Sequence, residues 1–296
     1  MSSLLLAFIA SFCASLSNLF FRKGNLVRGC ASPLGYLFFF YFTSFVLSLF
    51  IFPEIWEIKV NYPILLLGAC VGGLSILVMT LASRAMACGP AGMTFAFQNA
   101  SAIFPGLVLF LIFGTKGGFA CSMFQVLGMA LVLTGLFWGA GKLKAKAQWL
   151  FYAVGCFGAQ IAAFSLMQGR CLLFDDSEFF IKFEQVEDVW FMPGQFGFAS
   201  LVQLLRILLG KVKIKRGEAG YGLLGGIATC GSTCLLLLST KYALPIEKGM
   251  LFPCFAVGTI TLGNIWAYFL YRERFQWVTT LLCSAGILLG LFIILD

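Results

Sequence analysis

The chain has no histidine, and only 12 of its 296 residues are Asp or Glu. The first absence removes the side chain that most often moves protons near neutral pH, and the commonest nitrogen ligand for metals. The second leaves few carboxylates, none of them inside the core of a long apolar run. Intramembrane hydrolysis needs a nucleophile with its base, or paired carboxylates, and finds neither here. Charge of either sign is scarce, at 11% of residues, too little to clothe a soluble domain of this length. Cysteine is plentiful, with 11 residues, yet no CxxC occurs. Cys13, Cys70, Cys156, Cys230, Cys234, Cys254 and Cys283 lie within apolar runs, where a thiol packs like a small apolar group. Cys230 and Cys234 share a helix face, but two thiols without further ligands make a poor metal site. No cofactor or metal is expected.

What is present is apolar: 60% hydrophobic residues, 34 Phe and a mean hydropathy of +0.97. These residues gather into ten stretches of about 20 residues, the length of helix that crosses a hydrocarbon core roughly 30 Å thick. Because backbone polar groups there must be satisfied internally, each stretch is expected to be a spanning helix. The spans read as Leu4–Phe21, Leu34–Phe52, Tyr62–Ala82, Ala91–Phe113 and Phe119–Ala140, then Trp149–Met167, Trp190–Gly210, Tyr221–Thr240, Met250–Tyr271 and Trp277–Leu295. The first span lacks the cationic start and small-residue cleavage site of a secretory signal, and is expected to stay in the mature protein. Connections are short except for the acidic loop Gly169–Val189, which holds Asp175, Asp176, Glu178, Glu184, Glu187 and Asp188.

The two halves, 1–146 and 147–296, look alike. A shift of 145 lays Phe12-Cys13-Ala14-Ser15 on Phe157-Gly158-Ala159-Gln160, and Gly24 on Gly169. A shift of 155 lays Pro90 on Pro245, and Ala130, Leu133, Gly135, Leu136 and Phe137 on Ala285, Leu288, Gly290, Leu291 and Phe292. Five spans per half is an odd number, so the halves are expected to be inverted in the membrane, as in many secondary transporters. GxxxG spacing follows the same division: Gly68/Gly72 pairs with Gly222/Gly226, and Gly135/Gly139 with Gly286/Gly290. Small residues four apart let helix backbones approach closely in lipid.

The C-terminal motifs carry a family resemblance. Phe252-Pro253 opens a helix rich in small and polar residues; Tyr271-Arg272-Glu273-Arg274-Phe275 and Gly286-Ile287-Leu288-Leu289-Gly290 follow. With Phe12 to Gly24 in the first span and Phe104-Pro105 in the fourth, the chain resembles a ten-helix member of the drug/metabolite transporter superfamily, the EamA-like branch. Gly114-Thr115-Lys116 departs from it, standing where Gly-Glu-Arg is usual. The resemblance implies an all-α integral membrane fold, two inverted five-helix repeats around a central cavity opening to either side in turn. It implies transport of a small metabolite such as an amino acid, nucleoside or sugar, with no bound cofactor.

Polar groups at membrane depth are costly unless paired or solvated, which makes them candidates for solute contact. Asn18, Gln98, Asn99, Ser101, Gln160, Gln195, Gln203, Thr229, Ser232, Thr233, Thr259, Thr261, Asn264 and Trp266 qualify. The resemblance assigns the cavity wall to spans 1, 3, 4, 6, 8 and 9, which selects Asn18, Gln98, Asn99, Gln160, Asn264 and Trp266 as substrate-binding residues. The competing role for each is an interhelical hydrogen bond. Arg206, near the end of its span, is expected to snorkel rather than form a buried anion site. Arg84 and Lys241, near equivalent places in the two halves, are expected to anchor at the interface, the alternative being a pair of cations at a cavity mouth that attracts an anionic solute. Glu273 is expected to pair with Arg272 or Arg274. The four-helix multidrug members of the superfamily rely on a carboxylate in their first helix, and this chain has none there. Proton-coupled export of cationic drugs is accordingly disfavoured.

Net charge is +8. The cations stand in short clusters beside spans, such as Lys142/Lys144/Lys146 and Lys211/Lys213/Lys215/Arg216, and are read as membrane anchors rather than a nucleic-acid surface. They concentrate in loops after odd-numbered spans, so the positive-inside rule puts both termini outside, whereas the resemblance implies both in the cytoplasm. The expected partners are a small-molecule solute and the lipid bilayer, for a monomer or homodimer in a bacterial inner (plasma) membrane. A lipid-linked-sugar flippase or a channel of the same fold is the rival function; a non-transporting scaffold fits the polar belt less well.

Overall fold

The structure, a computed structural model, describes residues 3–28, 33–57, 59–114, 123–142, 146–170, 188–242, 245–271 and 277–291. Among them the chain forms α-helices and short 3-10 turns, and no strand. The first half comprises α1 (Ser3–Arg28), α2 (Leu34–Ile51), α3 (Tyr62–Cys88), α4 (Ala91–Ala100), α5 (Pro105–Phe113) and α6 (Met123–Lys142). The second comprises α7 (Ala147–Gly169), α8 (Phe191–Gly210), α9 (Arg216–Tyr242), α10 (Pro245–Tyr271) and α11 (Trp277–Leu291). Among the described residues, eight helical segments are long and apolar enough to cross a bilayer, with Ala91–Phe113 counted as one; Val126–Gly141 and Trp277–Gly286 are shorter apolar helices. The outer surface matches lipid: Leu209 is 83% exposed, Leu111 73% and Phe151 72%. Apolar area on that scale associates in water and is solvated by acyl chains. The chain is therefore an all-α, multi-pass membrane protein.

Four helices outrun the apolar stretches that announce them. α3 continues past Ala82 to Cys88, and α10 begins at Pro245 rather than Met250. α1 continues past Phe21 to Arg28, and α9 begins at Arg216 rather than Tyr221. The extensions of α1 and α9 support each other: the Lys23 ammonium lies 5.9 Å from the Tyr221 ring centroid, and Lys215 Nζ donates to the Val27 carbonyl at 3.1 Å. A second departure is the break in Ala91–Phe113. α4 ends at Ala100, Ser101–Ile103 forms a 3-10 turn, and α5 starts at Pro105. Pro105 has no N–H to offer the Ser101 carbonyl; the Phe104 N–H takes it at 3.1 Å instead, which tightens the backbone.

Packing is set by small residues. α1 lies along α9 and α10, α3 along α7 and α8, and α2 against α8 and α9, while α6 and α11 pair with each other. Where α3 meets α8, a Cβ on Gly68 or Gly72 would collide with the carbonyl oxygens of Phe191 and Gln195. Where α9 meets α2, a Cβ on Gly222 or Gly226 would fall 2.7 and 2.5 Å from the Tyr36 and Phe40 carbonyls. Gly286 of α11 likewise faces the Gly128 carbonyl of α6, 2.5 Å from where its Cβ would stand. All three contacts use the GxxxG residues. Gly72→Val should therefore destabilise the bundle, by about 1–3 kcal/mol for overpacking, and lower the thermal midpoint in detergent; an unchanged midpoint would show that α3 and α8 do not approach this closely.

Candidate functional site

Between these crossings lies a cavity of about 140 Å³. Its polar wall comes from many helices: Ser17 and Asn18 of α1, Ser75 of α3, Gln98 and Asn99 of α4, Gln160 of α7, Gln195 of α8, and Thr229, Ser232 and Thr233 of α9. Phe40 and Tyr41 of α2, Phe164, Phe196 and Phe255 supply aromatic faces. None of the described lining residues carries a formal charge. Gln98 and Asn99 reach the cavity from the last turn of α4, beside the break that Pro105 imposes. Transporter binding sites are typically built at such interrupted helices.

The polar atoms differ in how they are satisfied. Ser17 and Thr229 share a hydrogen bond at 2.6 Å that ties α1 to α9, and the Asn99 amide donates to the Phe95 carbonyl at 2.8 Å. By contrast, Tyr41 OH, Gln98 Oε1 and Gln195 Oε1 are buried with no hydrogen-bond partner in the protein. Each such group costs about 1–3 kcal/mol when unmet. All three belong to residues that line the cavity.

Toward the end where α1 and α3 terminate, the wall residue Phe40 stacks on Tyr36 at 5.6 Å between ring centroids, and Tyr36 packs on Phe21 at 5.5 Å. Toward the other end, Phe164 meets Phe252 and Phe255 edge-on at 5.6 and 6.2 Å. Beyond Met167 lies Arg170, 1% exposed, donating to the Met167 carbonyl at 3.0 Å and Thr240 Oγ1 at 3.1 Å, with the Phe191 ring 5.6 Å away.

Of the six residues selected from sequence, Asn18, Gln98, Asn99 and Gln160 come together on this cavity. Asn264 and Trp266 are not among its lining residues. Asn264 Nδ2 donates to Thr280 Oγ1 of α11 at 2.8 Å, and Trp266 Nε1 to Ser15 Oγ of α1 at 3.3 Å. Helical geometry explains both. Asn264 is nine residues beyond the wall residue Phe255 and so faces the opposite way; Trp266 shares the face of Phe255 but lies about 16 Å further along. Gln195, Tyr41, Ser75, Thr229, Ser232 and Thr233 belong to the wall without having been selected. The spans chosen by resemblance omitted α2 and α8. The residue offset that superposes Gly68/Gly72 on Gly222/Gly226, 154, also lays Tyr41 on Gln195 and would have flagged them.

The charged residues stand apart from the cavity. Arg206 bonds Gln203 Oε1 at 3.3 Å, the Arg84 guanidinium lies 5.9 Å from the Tyr152 ring centroid, and Lys241 is exposed. Glu273 with its two neighbouring arginines, and all the loop acids except Asp188, lie outside the described residues. Cys156 and Cys283 are buried, with thiols toward the Val78 and Val132 carbonyls at 3.6 and 3.9 Å.

No family model and no curated protein matches this sequence. Among solved structures 25 chains match. One, described only as the crystal structure of a protein, superposes with a TM-score of 0.64 at 13% identity, over 97% of this chain and 96% of its own. At that identity the likeness is one of fold alone, and the fold spans nearly the whole of both chains.

The two classes of amide should separate on mutation. Asn264→Ala should lower thermal stability by roughly 0.5–2 kcal/mol through loss of its interhelical bond. Gln195→Ala, which removes an unpartnered oxygen, should leave stability unchanged or raised. Equal losses for both would contradict the assignment of Gln195 to the cavity.

Proposed function

We propose that this protein is a secondary carrier that moves a small polar metabolite across a membrane by alternating access, with two inverted five-span halves enclosing the cavity. The carrying observation is that residues equivalent between the halves meet on one cavity. An offset of 154 pairs Tyr41 with Gln195, Ser75 with Thr229, Val78 with Ser232 and Met79 with Thr233; an offset of 145 pairs Asn18 with Ala163. All ten residues line it. The helix contacts support the same reading. Exchanging each helix for its counterpart turns α1 on α9 into α7 on α3, α2 on α9 into α8 on α3, and α1 on α10 into α7 on α4 and α5; α6 on α11 maps onto itself.

A site shared by two such halves can be offered to either side by rocking one against the other, which is the working principle of many inverted-repeat carriers. The cavity's amides, hydroxyls and aromatic faces suit a solute that is polar and small, and they include no group that would act as a catalytic nucleophile with its base. The resemblance to the drug/metabolite transporters points the same way, and with it to a bacterial inner membrane.

The test is uptake of a radiolabelled metabolite panel into proteoliposomes. Saturable uptake stimulated by counterflow is expected, with Gln98→Ala lowering its initial rate by about tenfold, a loss near 1.4 kcal/mol, at equal reconstitution. Non-saturating flux would replace the carrier by a channel, and translocation of lipid headgroups alone would replace it by a flippase.

A further inference from the structure

Resting on that carrier reading, we propose that the site selects solutes of zero net charge. A buried ionised group is costly unless paired, and bundle interiors that hold ions pair them with opposite charges or with backbone dipoles. Here the side chains of the described wall are amides, hydroxyls, aromatic rings and aliphatic or thioether groups, none of them ionised. The buried guanidinium nearest it, Arg170, is bonded to Met167 and Thr240 and is not a lining residue. Tyr41 OH, Gln98 Oε1 and Gln195 Oε1 offer hydrogen bonds without charge, and Phe40, Phe196 and Phe255 offer faces on which a ring can pack. The chemistry that fits is an uncharged, ring-bearing solute with amide- or hydroxyl-like groups at its edge.

The test needs no knowledge of the natural solute. Thr233→Cys, with Ser75→Cys as a second wall position, is labelled in detergent with methanethiosulfonates of similar size carrying hydroxyethyl, sulfonatoethyl or trimethylammonioethyl groups. Peptide mass spectrometry reads each site beside the native cysteines, and exposed Tyr62→Cys sets the intrinsic reactivities. Both charged reagents should label the wall at least about tenfold more slowly than the neutral one. Adding Gln98→Glu should restore the cationic reagent alone. Equal labelling by all three, or faster labelling by a charged one, overturns the charge rule even where counterflow works; failed counterflow with selective labelling overturns the carrier reading instead.

Other residues carry a second inference: we infer that one polar latch closes each end of the cavity. α1 and α3 are not packed along one another, nor are α7 and α9. Each pair is joined across the cavity near its C-terminal end. Ser83 Oγ donates to Asn25 Oδ1 at 2.5 Å, while the Asn25 amide also donates to the Phe21 carbonyl at 3.1 Å. Arg170 bonds Thr240 of α9 and the Met167 carbonyl one turn back in its own helix. An offset of 145 lays Asn25 on Arg170; the longer arginine reaches its partner one turn further along α9. Because α9 begins beside the end of α1, these latches lie at opposite ends of the bundle.

Opening toward one compartment must separate one pair of helices while the other pair holds. Arg170 has further interactions, so the informative variants are the mild ones, Ser83→Ala and Thr240→Val. Spin labels at Leu26 and Ala87 report the first end, and labels at Leu166 and Tyr242 the second. Ser83→Ala should lengthen only the first distance and Thr240→Val only the second, each changing the open population roughly two- to tenfold. Lengthening at the same end in both variants, or at neither, overturns the latch assignment.

Discussion

Everything in this molecule depends on helix backbones that touch where glycine leaves no side chain between them. In lipid the tails are as apolar as leucine, so burying apolar area gains little; close van der Waals approach does the work of association. Gly68 and Gly72 bring α3 onto the backbone of α8, and Gly222 and Gly226 bring α9 onto α2. Those crossings are tight because nothing larger than hydrogen stands at them. They also hold α1 away from α3 and α7 away from α9, and the space left over is the cavity.

The polar residues then divide by depth and direction rather than by type. Those facing a neighbouring helix spend their hydrogen bonds on it: Ser44 Oγ donates to the Gly226 carbonyl at 2.9 Å, and Trp149 Nε1 to Thr94 Oγ1 at 3.0 Å. Among those on the gap, Gln98, Gln195 and Tyr41 keep unmet atoms. An amide is therefore informative here only together with the helix face on which it sits.

That distinction marks what the residues alone could convey. Long apolar helices were legible because length and apolarity are one-dimensional properties. Among the described residues eight of them are long and apolar enough to cross a bilayer, and α1, α3, α9 and α10 run beyond their apolar stretches through turns that hydropathy does not register. The helix contacts made by the glycine pairs were legible for a similar reason, since spacing on one helix implies a flat face. Asn18, Gln98, Asn99 and Gln160, which stand on the cavity, were selected through depth, polarity and the spans that the resemblance assigned to the wall. Asn264 and Trp266 satisfied the same test, yet their facing and their position along α10 are three-dimensional facts. Gln195 passed the same test of depth and polarity and was left out only because the resemblance kept its span off the cavity wall. The break before Pro105 was visible as a proline and not as a turn, because a single proline can equally kink a continuous helix.

A wall without ions also bears on what drives the machine. A transmembrane voltage does work only on charge displaced through it, roughly 2.3 kcal/mol per elementary charge for each 100 mV. The described lining of this chamber has no such handle. On the carrier reading proposed above, a neutral solute held by that lining would itself carry no charge through the field.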